Sequence, residues 1–153
     1  MTPPYFAGPL EVRRIRGDRW MLLRALEYHS AVAKAQIIVP PEFITDFASV
    51  PRLPFVYWTT GGRAQHCAVI HDWLYQHAAW EDRPLADAVF REAMGVDQPE
   101  FGFEAESTAI RALMWSGVRA AGVWAWRNDK RAATLNPIWT HAGWPVRVEM
   151  AAG

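Results

Sequence analysis

The amino-acid sequence predicts an α+β fold, with a small N-terminal antiparallel β-sheet followed by a long loop and three α-helices. The first observation is a series of strand-like segments, with frequent β-branched residues, between residues 10 and 39. The second is the recurrence of apolar residues at helical spacing from residue 64 onwards. The third is the length, because 153 residues, 51% of them hydrophobic and 21% charged, fit a single domain over 1–153 with little room for a second.

Three strands are expected to form an antiparallel meander. They are Leu10 to Ile15, Trp20 to Tyr28 and Ala35 to Val39, with Gly17-Asp18 as the hairpin turn between the first two. Pro40-Pro41 ends the third strand, because proline cannot donate a hydrogen bond to a central ladder.

A long functional loop is expected after the sheet, over residues 42–63, because its prolines and paired glycines show no regular period. A connection of this length in a compact domain is more often functional than idle. Helices are expected at 64–79, 84–94 and 104–124, followed by an irregular Trp-rich tail at 125–153.

Local signals mark the ends and the buried face of these helices. In the second helix Asp82 is a candidate N-cap, Pro84 lies in the first turn and Gly95 ends it. The buried stripe of the third helix is expected to consist of Ile110, Leu113, Met114, Gly117, Val118 and Ala121.

Charge and cysteine content exclude several classes of protein. Sixteen basic and sixteen acidic side chains give a formal net charge of zero, which argues against a nucleic-acid partner held by the global field. A local basic patch remains compatible with this balance. The single cysteine, Cys67, excludes an intrachain disulfide and a four-cysteine zinc site.

No targeting or membrane-spanning segment is expected. The N-terminus lacks the basic and apolar regions of a signal peptide. The longest helical pattern is interrupted by Arg111 and Arg119, so no apolar run reaches the roughly 18 residues that span a bilayer. We therefore expect a protein that is made and folded in a reducing cytoplasm.

The residues with the clearest chemical potential lie on the first two helices. His71 and Tyr75 are four positions apart and therefore share a helix face, whereas Asp72 points about 100° away. Asp87, one turn into the second helix, is expected to face the first pair, because a short link makes the helices neighbours. Its carboxylate would fix the histidine tautomer and leave the other ring nitrogen free to take a proton from water.

The pattern His71-Asp72-x-x-Tyr75, followed by Ala86-Asp87-x-x-Phe90, resembles the active-site helix pair of phospholipase A2 enzymes, especially the disulfide-free parvoviral and small bacterial types. The resemblance implies that His71 is the general base for water and that Asp72 binds Ca²⁺. It also implies that Asp87 and Tyr75 orient the histidine.

The calcium loop of those enzymes, Tyr-x-Gly-x-Gly, has no counterpart in this sequence. Thr45 to Pro51 is the expected substitute, with Asp46 as a side-chain ligand. The alternative for this segment is an Asx- or Ser-type turn within a proline-bounded loop, which is the commoner use of such residues.

A second resemblance covers more of the chain, from about Trp20 to Gly122. Its motifs are Ile38-Val-Pro-Pro-Glu-Phe-Ile-Thr-Asp-Phe-Ala-Ser-Val-Pro-Arg52, Ala68-Val-Ile-His-Asp-Trp-Leu-Tyr75, Arg83 and Ala86-Asp87-x-x-Phe90-x-x-x-Met94. These are similar to a phage and prophage family known as domain of unknown function 1353. The similarity implies a phage or prophage origin, and it brings no established reaction.

Other interpretations of the histidines are less favoured. His66 lies five positions before His71, which is a poor spacing for a metalloprotease helix. An HD-type phosphohydrolase would need further ligands, and the candidate His29 lies in a strand-like segment. Cys67 is expected to be an inert buried thiol. Asp87 could also link the helices through hydrogen bonds without any chemistry.

The leading functional expectation is a phage-encoded, phospholipase A2-like hydrolase acting on a lipid or other ester. The alternative is a virion or tail-associated structural or interaction protein, whose Trp-rich tail and loop would contact other virion proteins. Trp126, Trp139 and Trp144 are the residues of that tail singled out for this role. Either protein would be made in the host cytoplasm.

Overall fold

The computed structural model describes residues 2–17, 19–47, 64–77, 83–133 and 146–147, with the backbone alone for 121–133 and 146–147. Two small antiparallel sheets precede three helices, which confirms the predicted α+β class. The strands are β1 (Tyr5–Phe6), β2 (Val12–Arg16), β3 (Arg19–Leu22), β4 (Leu26–Ser30), β5 (Ala35–Val39), β6 (Ile44–Thr45) and β7 (Val146–Arg147). The helices are α1 (Gln65–His77), α2 (Arg83–Ala93) and α3 (Thr108–Ala133).

The predicted meander is divided between two sheets. The first has the order β1-β4-β5-β7 and the second the order β2-β3-β6. The segment predicted as one strand from Trp20 to Tyr28 bends after Leu22, whose backbone bonds residues 42 and 43, and it re-forms as β4 in the first sheet. The buried residues Leu22, Leu26 and Tyr28 are an even number of positions apart, as in one continuous strand, whereas residues 23–25 at the bend are all exposed.

Helix α1 lies at the centre of the structure. All ten residues from His66 to Tyr75 are buried, because the helix contacts α2, α3 and β5. A helix that is covered on every side can hold polar groups only where neighbouring elements supply hydrogen bonds. The chemistry of this helix is therefore set by its contacts with its neighbours.

Helix α2 begins one residue before the predicted start and ends before Gly95, close to its predicted bounds of 84–94. The candidate cap Asp82 lies outside the described residues. Glu92 fastens the helix to the first sheet, where it accepts hydrogen bonds from the Tyr28 hydroxyl at 2.8 Å and the Ser30 hydroxyl at 2.7 Å. This attachment fixes the position of Asp87, one to two turns earlier in α2.

Helix α3 differs from its predicted bounds of 104–124 at both ends. It begins at Thr108, because the Ser107 hydroxyl accepts a hydrogen bond from the backbone N–H of Ile110 at 3.3 Å and caps the helix. It continues to Ala133, since the sequence after residue 124 contains no proline or glycine until Pro137.

Two further expectations for this region are corrected. The predicted irregular tail at 125–153 is helical through residue 133, and β7 at 146–147 pairs with β5. Leu113, assigned to the buried stripe of α3, is 42% exposed, whereas Met114 and Val118 are buried. None of the helices, within the residues described, combines the length and apolar character needed to cross a bilayer.

Candidate functional site

Asp87 lies at the centre of a hydrogen-bonded cluster between α1 and α2. Its Oδ1 atom is 3.0 Å from His71 Nε2 and accepts a hydrogen bond from the Tyr75 hydroxyl at 2.5 Å. Asp87 is 0% exposed and His71 is 1% exposed. The structure therefore brings together His71, Tyr75 and Asp87, which the sequence spacing predicts to lie on facing sides of two neighbouring helices.

Two arginines that the sequence analysis gave no role complete this cluster. Arg119 on α3 has its guanidinium 3.3 Å from Asp87 Oδ2, and Arg83 on α2 lies 4.0 Å from the same oxygen. Arg83 also donates to the Tyr75 hydroxyl at 3.3 Å and to the backbone carbonyl of Arg119 at 2.6 Å. One carboxylate thus connects all three helices.

Only one of these arginines had a signal in the sequence. Arg83 precedes Asp87 by four residues, the spacing at which opposite charges meet on a helix. Arg119 has no such signal, because it lies on a different helix and its side chain is 40% exposed. Sequence spacing does not show which residues of α3 pack beside α2, so Arg119 was missed as a partner of Asp87.

The electrostatic balance keeps Asp87 ionised. Burial alone would raise the pKa of its carboxyl, but hydrogen bonds from His71 and Tyr75 and the positive charge of Arg83 outweigh burial and lower that pKa. Burial raises the pKa of the Tyr75 hydroxyl, and its hydrogen bond to Asp87 raises that pKa further, so the phenol stays protonated and donates. Asp87 is therefore a carboxylate acceptor at neutral pH.

His71 is neutral at the same pH. Burial lowers the pKa of its imidazole and outweighs the hydrogen bond and charge of Asp87, which act to raise it. A neutral imidazole has one N–H, and the hydrogen bond to an ionised carboxylate assigns it to Nε2. Nδ1 is then a lone-pair acceptor, and it is buried without a hydrogen-bond partner among the residues described.

The imidazole ring of His71 packs against two aromatic rings. Its centroid lies 4.0 Å from that of Tyr75 and 4.8 Å from that of Phe90. Cys67, one turn earlier on α1, is buried as expected, and burial raises the pKa of its thiol. A protonated, buried thiol is a poor nucleophile, which agrees with the expectation of an inert Cys67.

Asp72 belongs to a second set of contacts, between α1 and β6. The Thr45 hydroxyl donates to Asp72 Oδ2 at 2.5 Å and accepts the backbone N–H of Phe47 at 3.1 Å. Phe47 has a φ of 54°, a left-handed conformation that is uncommon for an aromatic residue. Asp72 and Thr45 thus hold a tight turn at the start of the predicted loop.

The predicted calcium ligands do not form a complete metal site within the described part of the chain. Asp46 is exposed, and it lies between the two residues that form this turn. Residues 48–51 of the predicted metal loop, like the remainder of the long loop to residue 63, lie outside the described residues. In the ranges that are described, no three His, Cys, Asp or Glu side chains are grouped as a metal site.

Two other histidines, His66 and His29, are used in packing. His66 stacks on Phe103 with ring centroids 3.9 Å apart, and His29 in β4 stacks on Tyr5 at 4.3 Å. His29 is thus in a strand, as expected, and the contacts described here do not favour an HD-type phosphohydrolase. The tail residues Trp139 and Trp144 lie outside the described residues, and only the backbone is described for Trp126.

Comparison with known proteins gives one match. The model of a protein family described as "Protein of unknown function (DUF1353)" matches residues 20–118. This range includes Thr45, His71, Tyr75 and Asp87, and it ends one residue before Arg119. A search of curated proteins and a search of solved structures gave no significant match.

Proposed function

The chain belongs to the DUF1353 family, and because the description of that family names no activity, we propose a function from the site itself: an ester hydrolase in which His71 is the general base. Asp87 and Tyr75 are its positioning residues. The observation that carries this proposal is the asymmetry of the imidazole, with Nε2 bonded to Asp87 and Nδ1 without a described partner.

The proposed reaction uses this asymmetry in two steps. Nδ1 takes a proton from water while the water oxygen bonds to the ester carbonyl carbon, which produces a tetrahedral intermediate and an imidazolium. The imidazolium then returns the proton to the departing alkoxide as the ester C–O bond breaks, giving an acid and an alcohol. The Asp87 carboxylate stabilises the positive charge that His71 carries between the steps.

The resemblance to phospholipase A2 supplies the proposed substrate class, a lipid or other carboxylic ester. The first test is whether the purified protein hydrolyses phosphatidylcholine vesicles or a soluble nitrophenyl ester. Activity that is lost in His71→Gln supports the proposal, whereas a fully active His71→Gln variant contradicts it.

Calcium binding by Asp72 and Asp46 is a separate proposal. The described residues do not supply a grouped set of ligands, and Asp72 already accepts a hydrogen bond from Thr45, so no step of the reaction above passes through a metal. Calorimetric titration with Ca²⁺, compared with Asp46→Asn, tests the proposal directly. Heat of binding that disappears in this variant supports it, and the absence of binding to the parent protein contradicts it.

A second candidate function is that of a structural or interaction protein of a phage virion or tail. The observation that favours it is the complete burial of Asp87, whose contacts with α1, α2 and α3 would suit a rigid scaffold. In that case variants of His71 would change stability and leave assembly intact. Incorporation of the tagged protein into purified virions is the corresponding test.

A further inference from the structure

The outer face of the second sheet combines exposed apolar side chains with arginine. Register places Arg13, Met21 and Ile44 opposite one another on neighbouring strands, so they share one face. Leu23 follows Met21 by two residues, and Ile15 lies at the irregularity of β2. Ile15, Leu23 and Ile44 are 49%, 48% and 46% exposed. We call these five residues the outer face.

The opposite face of the same sheet is directed into the protein. Leu22 is 1% exposed and Thr45 is 2% exposed, and the Thr45 hydroxyl reaches Asp72 on α1. Adjacent residues of β6 therefore alternate between the core, through Thr45, and the surface, through Ile44. The strand register therefore directs these apolar side chains to the surface and away from the core.

Arginines surround this face. Besides Arg13, the hairpin formed by β2 and β3 carries the exposed Arg16 and Arg19, and also Arg14, which pairs with Trp20 on the opposite face. Residues 12–22 contain these four arginines and one acidic residue, Asp18, in a protein of zero formal net charge. The hairpin therefore has a local excess of positive charge around Ile15, while the acidic Glu11, Glu42 and Asp46 adjoin the strands of the same sheet.

From this combination we infer that the outer face binds the surface of an anionic lipid bilayer. Arginine guanidinium groups pair with lipid phosphates, while isoleucine and leucine side chains enter the boundary between headgroups and acyl chains. Arginine can serve both regions, because its aliphatic stem lies along apolar material while its charged end stays among the phosphates.

Other occupants fit the face less well. A nucleic acid would pair with the arginines but leave the three aliphatic side chains uncovered, and Trp20 packs towards Phe47 at 5.9 Å instead of offering a stacking surface. A second copy added along β2 would bring two sets of arginines together, and their repulsion opposes that pairing.

Vesicle flotation tests this inference, with pure phosphatidylcholine vesicles compared with equal parts of phosphatidylcholine and phosphatidylglycerol. The parent protein is expected to bind the anionic vesicles and to be released by salt. Each arginine removed from the hairpin is expected to weaken binding about fivefold, so Arg13→Ser with Arg16→Ser gives about a twenty-fivefold loss. Ile44→Ser is expected to weaken it about tenfold.

The turn between β4 and β5 offers a matched control with the same two chemistries. Val32 is 47% exposed, and Lys34 is exposed with a φ of 52° that asparagine also adopts readily. Val32→Ser with Lys34→Asn removes one apolar and one cationic group, and this variant is expected to bind as the parent does. The double variant Arg13→Ser with Ile44→Ser removes the same two kinds of group from the outer face. An equal loss of vesicle binding in this double variant and in the control would overturn the inference.

Two other results also decide the question. No flotation of the parent with anionic vesicles overturns the inference, and so does binding to a polyanion such as heparin without binding to vesicles. Thermal unfolding shows whether the serine variants remain folded. The proposed lipid binding does not depend on ester hydrolysis, so His71→Gln is expected to float with the vesicles as the parent does. The two proposals can therefore fail separately.

Discussion

His71 Nε2 and Asp87 Oδ1 lie 3.0 Å apart in the interior of the protein, where the two side chains are 1% and 0% exposed. In this setting the ionised carboxylate fixes the ring tautomer and leaves Nδ1 as the acceptor. The same contact contributes to stability, because both groups would be costly to bury alone. Stability and reactivity can therefore be tested on the same residues.

Removal of the Tyr75 hydroxyl is expected to destabilise the protein. Tyr75→Phe loses a 2.5 Å hydrogen bond to the buried carboxylate, which corresponds to about 1.5–3 kcal/mol of unfolding free energy for a bond to a charged group. Urea denaturation measures the difference. Tyr5→Phe is the matched control, since Tyr5 stacks on His29 through its ring, and an equal loss in both variants would argue against a special role for the Tyr75 bond.

Stability is expected to decrease as the pH falls below 6.5, the ordinary pKa of histidine. Burial lowers the pKa of His71 in the folded protein, so over this range the unfolded chain binds more protons and acid favours unfolding. The stability that the protein gains because His71 is neutral is complete above pH 6.5, and it is lost as the pH falls towards the lower pKa of His71 in the folded state. The slope reaches at most about 1.4 kcal/mol per pH unit for one group.

The pH dependence can be assigned to individual histidines by urea titrations between about pH 7.5 and 5. His71→Gln is expected to flatten the curve, because glutamine does not titrate. Burial also lowers the pKa of His77, despite its hydrogen bond to the Trp73 carbonyl, so His77→Gln is expected to remove part of the slope as well. A parent slope that persists unchanged in His71→Gln would refute the assignment of a neutral imidazole.

Thr45 is expected to stabilise the turn that begins the long loop. Thr45→Val loses the hydroxyl that bonds both Asp72 and the backbone of Phe47, leaving a buried carboxylate oxygen without that donor. We expect a loss of about 1–3 kcal/mol in unfolding free energy. Thr45→Ser keeps the hydroxyl and serves as the control, so a serine variant as unstable as the valine variant would show that packing of the methyl group, and not hydrogen bonding, dominates.

The parts of the structure that sequence patterns predicted are those set by local periodicity. The spacing of His71 and Tyr75 on one helix and the position of Asp87 early in the next were sufficient to place these residues near one another. The hairpin pairing of β2 with β3 and the end of α2 before Gly95 also follow from local turn and helix-end signals.

The parts that were missed depend on distant contacts. Arg119 reaches Asp87 only because α3 packs beside α2, and no spacing within one helix contains that information. The division of strand 20–28 between two sheets depends on hydrogen bonds from Leu22 to residues 42 and 43. The predicted end of α3 at residue 124 is too early, because the asparagine, proline and glycine of the tail predict an irregular segment, whereas the proline and glycine lie only beyond residue 133.

The most direct test of the central proposal is the rate of ester hydrolysis by the parent, His71→Gln and His29→Gln. The glutamine amide can still donate to Asp87, so His71→Gln removes the base while it keeps that hydrogen bond. We predict a decrease of kcat by about 10²- to 10⁴-fold in His71→Gln, with the parent rate in His29→Gln. Equal rates in all three proteins, or no hydrolysis by the parent, would contradict the assignment of His71 as a general base.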